Sequence, residues 1–234
     1  MGRPELLELL DVWRTSGTGP VTHRLAASLG LAAAELARDT LGQRNRRLIA
    51  LLETWVDRPV EAHVVCPSCA ASNEFILPLG AMKALPEPPP GARIDFAGRS
   101  FRLPTMADIE ALGSDPLAVA RRCADDPGLE LAPHDLAALG ERFDELDPLA
   151  RLEIDSDCSV CGSPLSADVV LEDFVVAELT RTADLLLRDI DVIAAAYGWS
   201  EQAIVALPAA RRARYVELIA GRRGPRSLDQ ESAR

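Results

Sequence analysis

Two Cys-x-x-Cys pairs, Cys66-Pro67-Ser68-Cys69 and Cys158-Ser159-Val160-Cys161, constrain this chain more than any other feature. Cysteines three apart can chelate one ion through a tight turn, and four thiolates close a tetrahedral structural zinc site that keeps no open position for water. Four cysteines therefore argue against hydrolysis at such a metal. Residues 70–157 lie between the pairs, 157 − 70 + 1 = 88 of them, whereas a continuous four-cysteine site separates its pairs by roughly fifteen to twenty. The spacing predicts a zinc ribbon split by an insertion, with one structural zinc ion held by Cys66, Cys69, Cys158 and Cys161. Two other readings stand beside it, a redox dithiol and buried thiols without metal. A thioredoxin-like dithiol sits at a helix start after a parallel strand, and no βαβ pattern surrounds either pair. Cys123, at the end of Ala120-Arg121-Arg122-Cys123, reads as a small buried apolar residue on a helix.

The flanks of the pairs read as short strands, Val60–Val65 and Glu74–Leu77 around the first, Leu152–Asp155 and Ala167–Leu171 around the second. Helical periodicity is expected over Pro4–Arg14, from about Thr22 into the Leu36 region, and from Gly42 or Gln43 to Trp55, with Gly17-Thr18-Gly19-Pro20 breaking the first from the second. In the third, Leu48, Leu51, Leu52 and Trp55 form an apolar stripe opposite Arg44, Arg46 and Arg47. Leu85-Pro86-Glu87-Pro88-Pro89-Pro90-Gly91 cannot supply ladder donors and reads as an extended connector. A hairpin over Ile94–Leu103 turns near Gly98, and Thr105 with Asp108 marks a helix start. Two or three helices follow to Leu146, divided at Asp125-Asp126-Pro127-Gly128. One long helix then runs from Glu172 to Tyr197, Ser200 caps a short one, and Pro208 opens a last one over Ala209–Ala220.

The expected class is α+β, mostly helical. Its parts are a helical segment over 1–58, the first ribbon half plus hairpin over 59–104, a helical insertion over 105–147 and the second ribbon half over 148–171. A helical segment over 172–223 and a flexible tail over 224–234 complete it.

Net charge is −11, which opposes loose binding to nucleic acid; Lys83 is the single lysine, and arginine carries the remaining positive charge. No run of eighteen apolar residues and no basic, apolar leader is found, so a membrane span and a secretory signal are not expected, and thiolates kept reduced for metal imply the cytoplasm. His23, His63 and His134 are scattered, and no serine or unmatched cysteine sits in a nucleophile motif. Neither a catalytic residue nor a small-molecule substrate is predicted, and the chain reads as no enzyme.

The order of a split Cys-x-x-Cys ribbon, an intervening FRLPTMADIEAL and a closing VIAAAYGWSEQAIVALPAARRARYVELI resembles the T-even-type phage baseplate hub assembly chaperone family of contractile tails and tail-derived injection systems. The resemblance covers about Leu6 to Ile219. Its most specific part is Tyr197-Gly198-Trp199-Ser200-Glu201, followed by Ile204, Leu207, Arg211-Arg212 and Tyr215. One departure is Ala70, where glycine is common in such ribbons. The family implies a non-enzymatic role in assembling a baseplate hub or spike, with hub, spike or other tail proteins as partners and no nucleic acid. Tyr197, Trp199, Arg211, Arg212 and Tyr215 are the candidate partner-binding residues, with Trp199 and Tyr215 as anchors and the arginines facing an acidic patch. The alternative for Trp199 is packing between two helices, and for the arginines solvation. A zinc-ribbon nucleic-acid-binding or transcription-associated module is the competing function. The acidic Glu61, Glu74, Asp155 and Asp157 around the ribbon disfavour it.

Overall fold

Phe101, buried completely in the middle of a four-residue strand, shows how this chain builds its core from very short elements. The computed structural model describes residue 26 and residues 31–222 apart from 57, 114, 127 and 129. The helix expected over Pro4–Arg14, the break at Gly17–Pro20, the start of the second helix at Thr22, His23 and the tail from Gly224 lie outside the described residues. The described part is α+β, about half of it helical, with three antiparallel two-stranded hairpins. It falls into two compact units that divide between Glu178 and Leu179, inside the long helix.

The first unit contains α1 (Ala33–Leu36), α2 (Leu41–Trp55), β1 (Glu61–Val65), β2 (Ser72–Ile76), α3 (Leu79–Lys83), β3 (Arg93–Phe96), β4 (Arg99–Arg102), α4 (Met106–Leu112), α5 (Pro116–Cys123), α6 (Pro133–Leu146), β5 (Glu153–Asp157), β6 (Pro164–Asp168) and the start of α7 (Leu171–Tyr197). Helix α2 begins in a capping box: the Gln43 amide donates to Thr40 Oγ1 at 3.2 Å and the Thr40 amide to Gln43 Oε1 at 3.0 Å. Asp147 reinforces it from the far end of the insertion, its Oδ2 accepting from Thr40 Oγ1 at 2.8 Å and from the Gly42 amide at 3.0 Å. A Cβ at position 42 would lie 1.7 Å from Asp147 Oδ1, so only glycine admits this carboxylate. Asn45 Nδ2 donates to Leu149 O at 2.8 Å one turn on. The start of α2 is thus tied to the segment that leads into β5.

Leu48, Leu51 and Leu52 are buried along α2, as the stripe requires. The arginines opposite them are engaged. Arg47 pairs with Asp39 at 2.6 Å, Arg44 lies 3.6 Å from Glu172, and Arg46 donates to Lys83 O and to Leu85 O at 2.9 Å. Hairpin β3–β4 turns through Ala97 and Gly98, both at positive φ, 50° and 73°, which suits the right-handed twist of its strands. It packs Phe101, Ile94 and Phe96 on Ala120 of α5 and Leu139 of α6. At the start of α4, the buried Asp108 accepts from Arg102 of β4 at 2.6 and 2.8 Å, from Arg122 of α5 at 2.8 Å, and from the Thr105 amide at 2.9 Å. Cys123 is buried, and loss of solvent pushes its thiol up to about 11.

Several boundaries differ from the sequence reading: the helix expected into the Leu36 region is only Ala33–Leu36 at that end, with Leu31 and Ala32 outside it, and the second strand of the first hairpin runs Ser72–Ile76 rather than Glu74–Leu77. The second strand of the last hairpin begins at Pro164 rather than Ala167, because the turn after Cys161 is as tight as the one after Cys69, and Leu171 opens α7 instead of ending the strand. Helix α3, a single turn after Pro78, carries no periodicity that a sequence could announce.

Among the described residues, the second unit contains the rest of α7, α8 (Glu201–Val205) and α9 (Ala209–Arg222). Gly198 takes φ 67° and stops α7, and Ser200 Oγ caps α8 by accepting from the Ala203 amide at 3.3 Å. Leu186, Ile190 and Ile193 from α7 meet Ile204 and Val205 of α8 and Ile219 of α9 in one core. No helix among the described residues is long and apolar enough to cross a membrane.

Candidate metal centre

The two cysteine pairs sit on hairpins that repeat each other at a constant offset, 158 − 66 = 92 residues. Strands 61–65 and 72–76 correspond to 153–157 and 164–168. The Cys66 amide donates to Ala71 O and the Ala70 amide to Cys66 O; the Cys158 amide donates to Ser163 O and the Gly162 amide to Cys158 O. Even the closing bonds match, Leu77 N to Val60 O and Val169 N to Leu152 O, both 2.8 Å. Two copies of one turn therefore present two sulfurs each.

The copies face each other. Cys66 Sγ lies 3.7 Å from Cys161 Sγ, and Cys69 Sγ lies 3.7 Å from Cys158 Sγ, a reciprocal pairing expected of a two-fold arrangement. All four sulfurs are within 4.8 Å of one another. Disulfides need about 2.05 Å, so these are four free thiols. Ligands at about 2.3 Å on tetrahedral corners stand about 3.8 Å apart, and the sulfur spacing fits one ion between them. Cys66 and Cys158 are buried over Leu165, with Ala71 and Phe75 against them, while Cys69 and Cys161 are exposed.

Local dipoles are aimed at the sulfurs. The amides of Cys161 and Val160 draw the Cys158 thiol down to about 6, and the Ser163 hydroxyl and amide lower that of Cys161. For Cys69 the Ala71 amide pulls down, but hydrogen bonding with Cys161, lost solvation and the other two sulfurs push it up to about 12. Four sulfurs this close cannot all ionise unless a cation lies among them. A metal would take all four as thiolates, leaving no coordination position for a substrate.

Asn73 is a supporting residue that the cysteine spacing does not reveal. It belongs to the first hairpin and is buried, yet its Oδ1 accepts from the Ser159 amide and hydroxyl of the second, both at 2.9 Å, and its Nδ2 lies 3.6 Å from Cys158 Sγ. Its counterpart at 73 + 92 = 165 is leucine, so the two-fold likeness ends beside the sulfurs. Neither a family model, nor a curated protein, nor a solved structure matches this chain.

The other candidate residues all lie in the second unit. Tyr197 and Trp199 stack at 5.2 Å between ring centroids, and Tyr215 meets both edge-on at 5.6 and 5.1 Å. Arg222 lies over the Tyr197 ring at 5.4 Å. Trp199 retains 37% of its surface, and Arg211 is exposed. Arg212 differs from the expectation of a surface group: it is buried, donates to Leu207 O at 2.7 Å and lies 3.5 Å from Asp189. It acts inside the unit, locking the loop before α9 to α7, because position 212 falls on the core face of α9 with Ile219. His63 and His134 are on separate elements, each beside a neighbouring carboxylate.

Proposed function

We propose that the protein is a non-enzymatic assembly factor or minor component of a contractile-tail baseplate hub, made rigid by one structural zinc ion in a split four-cysteine ribbon. The observation that carries the scaffold reading is the convergence of four sulfurs from two matched turns, with nothing but sulfur in the donor set. A tetrahedral set of thiolates favours zinc among common ions. In that role Cys66, Cys69, Cys158 and Cys161 hold the ion, Asn73 fixes one turn against the other, and the metal supplies folding energy rather than reaction chemistry.

The assignment to a tail hub rests on the resemblance of the Tyr197–Tyr215 stretch, and the aromatic trio, exposed at Trp199 and half-buried at Tyr197 and Tyr215, supports it as a docking face. Aromatic anchors with an arginine beside them are the residue types enriched in interface hot spots. Co-expression of the full chain with the hub and spike proteins of a contractile tail tests this. Recovery of a complex that weakens about thirtyfold with Trp199→Ala, and measurably with Arg211→Ala, is the expected result. Undiminished recovery with both variants removes the docking face. Salt-dependent binding to DNA or RNA, with no hub complex, replaces the assembly reading with the nucleic-acid one.

A further inference from the structure

The sulfur cluster is also a place where a covalent reaction can occur, and its geometry selects the product. Cys69 and Cys161 are exposed, whereas Cys66 and Cys158 are buried. Each exposed sulfur stands 3.7 Å from a buried one, and in both cases the buried partner belongs to the opposite hairpin. An oxidant arriving from solvent meets Cys69 or Cys161 first, because oxidation follows thiolate character and access. The sulfur that can then close a disulfide lies across the site, and each such pair has to approach only from 3.7 Å to about 2.05 Å. Protein groups also hold the hairpins in register. Asn73 of the first accepts from the Ser159 amide and hydroxyl of the second at 2.9 Å, and each turn is closed by its own backbone bonds.

We propose that hydrogen peroxide converts this cluster into two disulfides between the hairpins, Cys69–Cys158 and Cys66–Cys161, so that a metal clamp is exchanged for a covalent one. In each half the exposed thiolate attacks a peroxide oxygen: an S–O bond forms, the O–O bond breaks, and the hydroxide released takes up a proton as water. The buried thiolate of the opposite hairpin then attacks that sulfur, forming the S–S bond as the S–O bond breaks, and the second hydroxide also leaves as water. One peroxide is reduced and two thiolates are oxidised for each disulfide, so the completed exchange leaves no thiolate in the cluster to hold an ion. The proposal rests on the zinc reading only for the ion released; the pairing rests on the sulfur positions.

The full chain, with its zinc content measured beforehand, is titrated with hydrogen peroxide, its free thiols are blocked, and tryptic peptides are mapped by mass spectrometry. Neither Cys-x-x-Cys contains lysine or arginine, whereas arginines lie between the two, so a link between hairpins joins two peptides and a link within a pair joins none. Expected are joined peptides whose fragmentation gives Cys69–Cys158 and Cys66–Cys161, complete at about two peroxides per chain. Cys123, buried outside the cluster, stays a thiol. Zinc should leave in step, and a thiol reductant with added zinc should restore it. The oxidised chain should unfold at a higher denaturant concentration than the reduced chain stripped of zinc. Any other pairing, sulfinic acid at Cys69 or Cys161 without disulfides, thiols untouched by excess peroxide, or equal denaturant midpoints overturns the proposal. A chain purified without zinc that still forms both cross-links contradicts the zinc reading alone.

Discussion

Ala70 holds φ at 58°, and Gly162, its counterpart 162 − 70 = 92 residues on, holds 71°. Both turns after a Cys-x-x-Cys need this left-handed residue, because the amide at that position must point back to the carbonyl of the first cysteine. Glycine adopts it freely, whereas alanine brings its Cβ close to the following carbonyl at a cost of about 1–2 kcal/mol. The departure visible at Ala70 in the sequence is thus a real strain that the four-cysteine cluster tolerates. Ala70→Gly should raise stability by about 1 kcal/mol in a denaturant titration of the metal-loaded chain, and Gly162→Ala should lower it by a similar amount. No change in either variant would mean that the turn geometry is not what limits the site. The four clustered sulfurs were legible from spacing alone. Asn73 was not, since its contact to Ser159 spans 86 residues and no local motif marks it. Arg212 was misread for a related reason: a run of arginines looks uniform in sequence, and only the helix face separates the buried one from its exposed neighbour.

At the scale of elements, local signals did well where the information was local. The capping residue Thr105, the hairpin turn at Gly98, the helix stop at Gly198 and the cap at Ser200 all formed as their chemistry predicts. What stayed hidden was how elements are fastened. Asp108 joins β4, α4 and α5 through Arg102, Thr105 and Arg122, and although burial alone would raise its carboxyl, these donors hold it well below the usual range. A carboxyl that ionises more readily folded than unfolded stabilises the fold fully above its unfolded value of about 3.9. That stability is lost as pH falls further toward the folded value. The account therefore predicts an acid limb in a plot of stability against pH that steepens below about pH 4. Asp108→Asn should be less stable than the parent at pH 7, with a shallower limb. Parallel limbs for parent and variant would place the acid sensitivity elsewhere.

For the whole molecule, the organising relation is between two remote stretches of chain. Closing a loop of about a hundred residues by a cross-link removes chain entropy worth about 4.7 kcal/mol, and four sulfur bonds to one ion would act as such a closure between the hairpins. The ties from α2 to Asp147 and Leu149 bring β5 toward the first hairpin independently of metal. The expected α+β class with its four-cysteine cluster is what the fold contains, and α4, α5 and α6 lie between the pairs together with the β3–β4 hairpin. The division inside α7 was not foreseen, because a continuous apolar period hides where one core ends and the next begins. X-ray absorption at the zinc edge, on the purified chain with its metal content counted, bears most directly on the central claim. One zinc per chain with four sulfurs at about 2.3 Å is predicted. A chain without zinc, or a zinc shell containing oxygen or nitrogen in place of any of the four sulfurs, would contradict it.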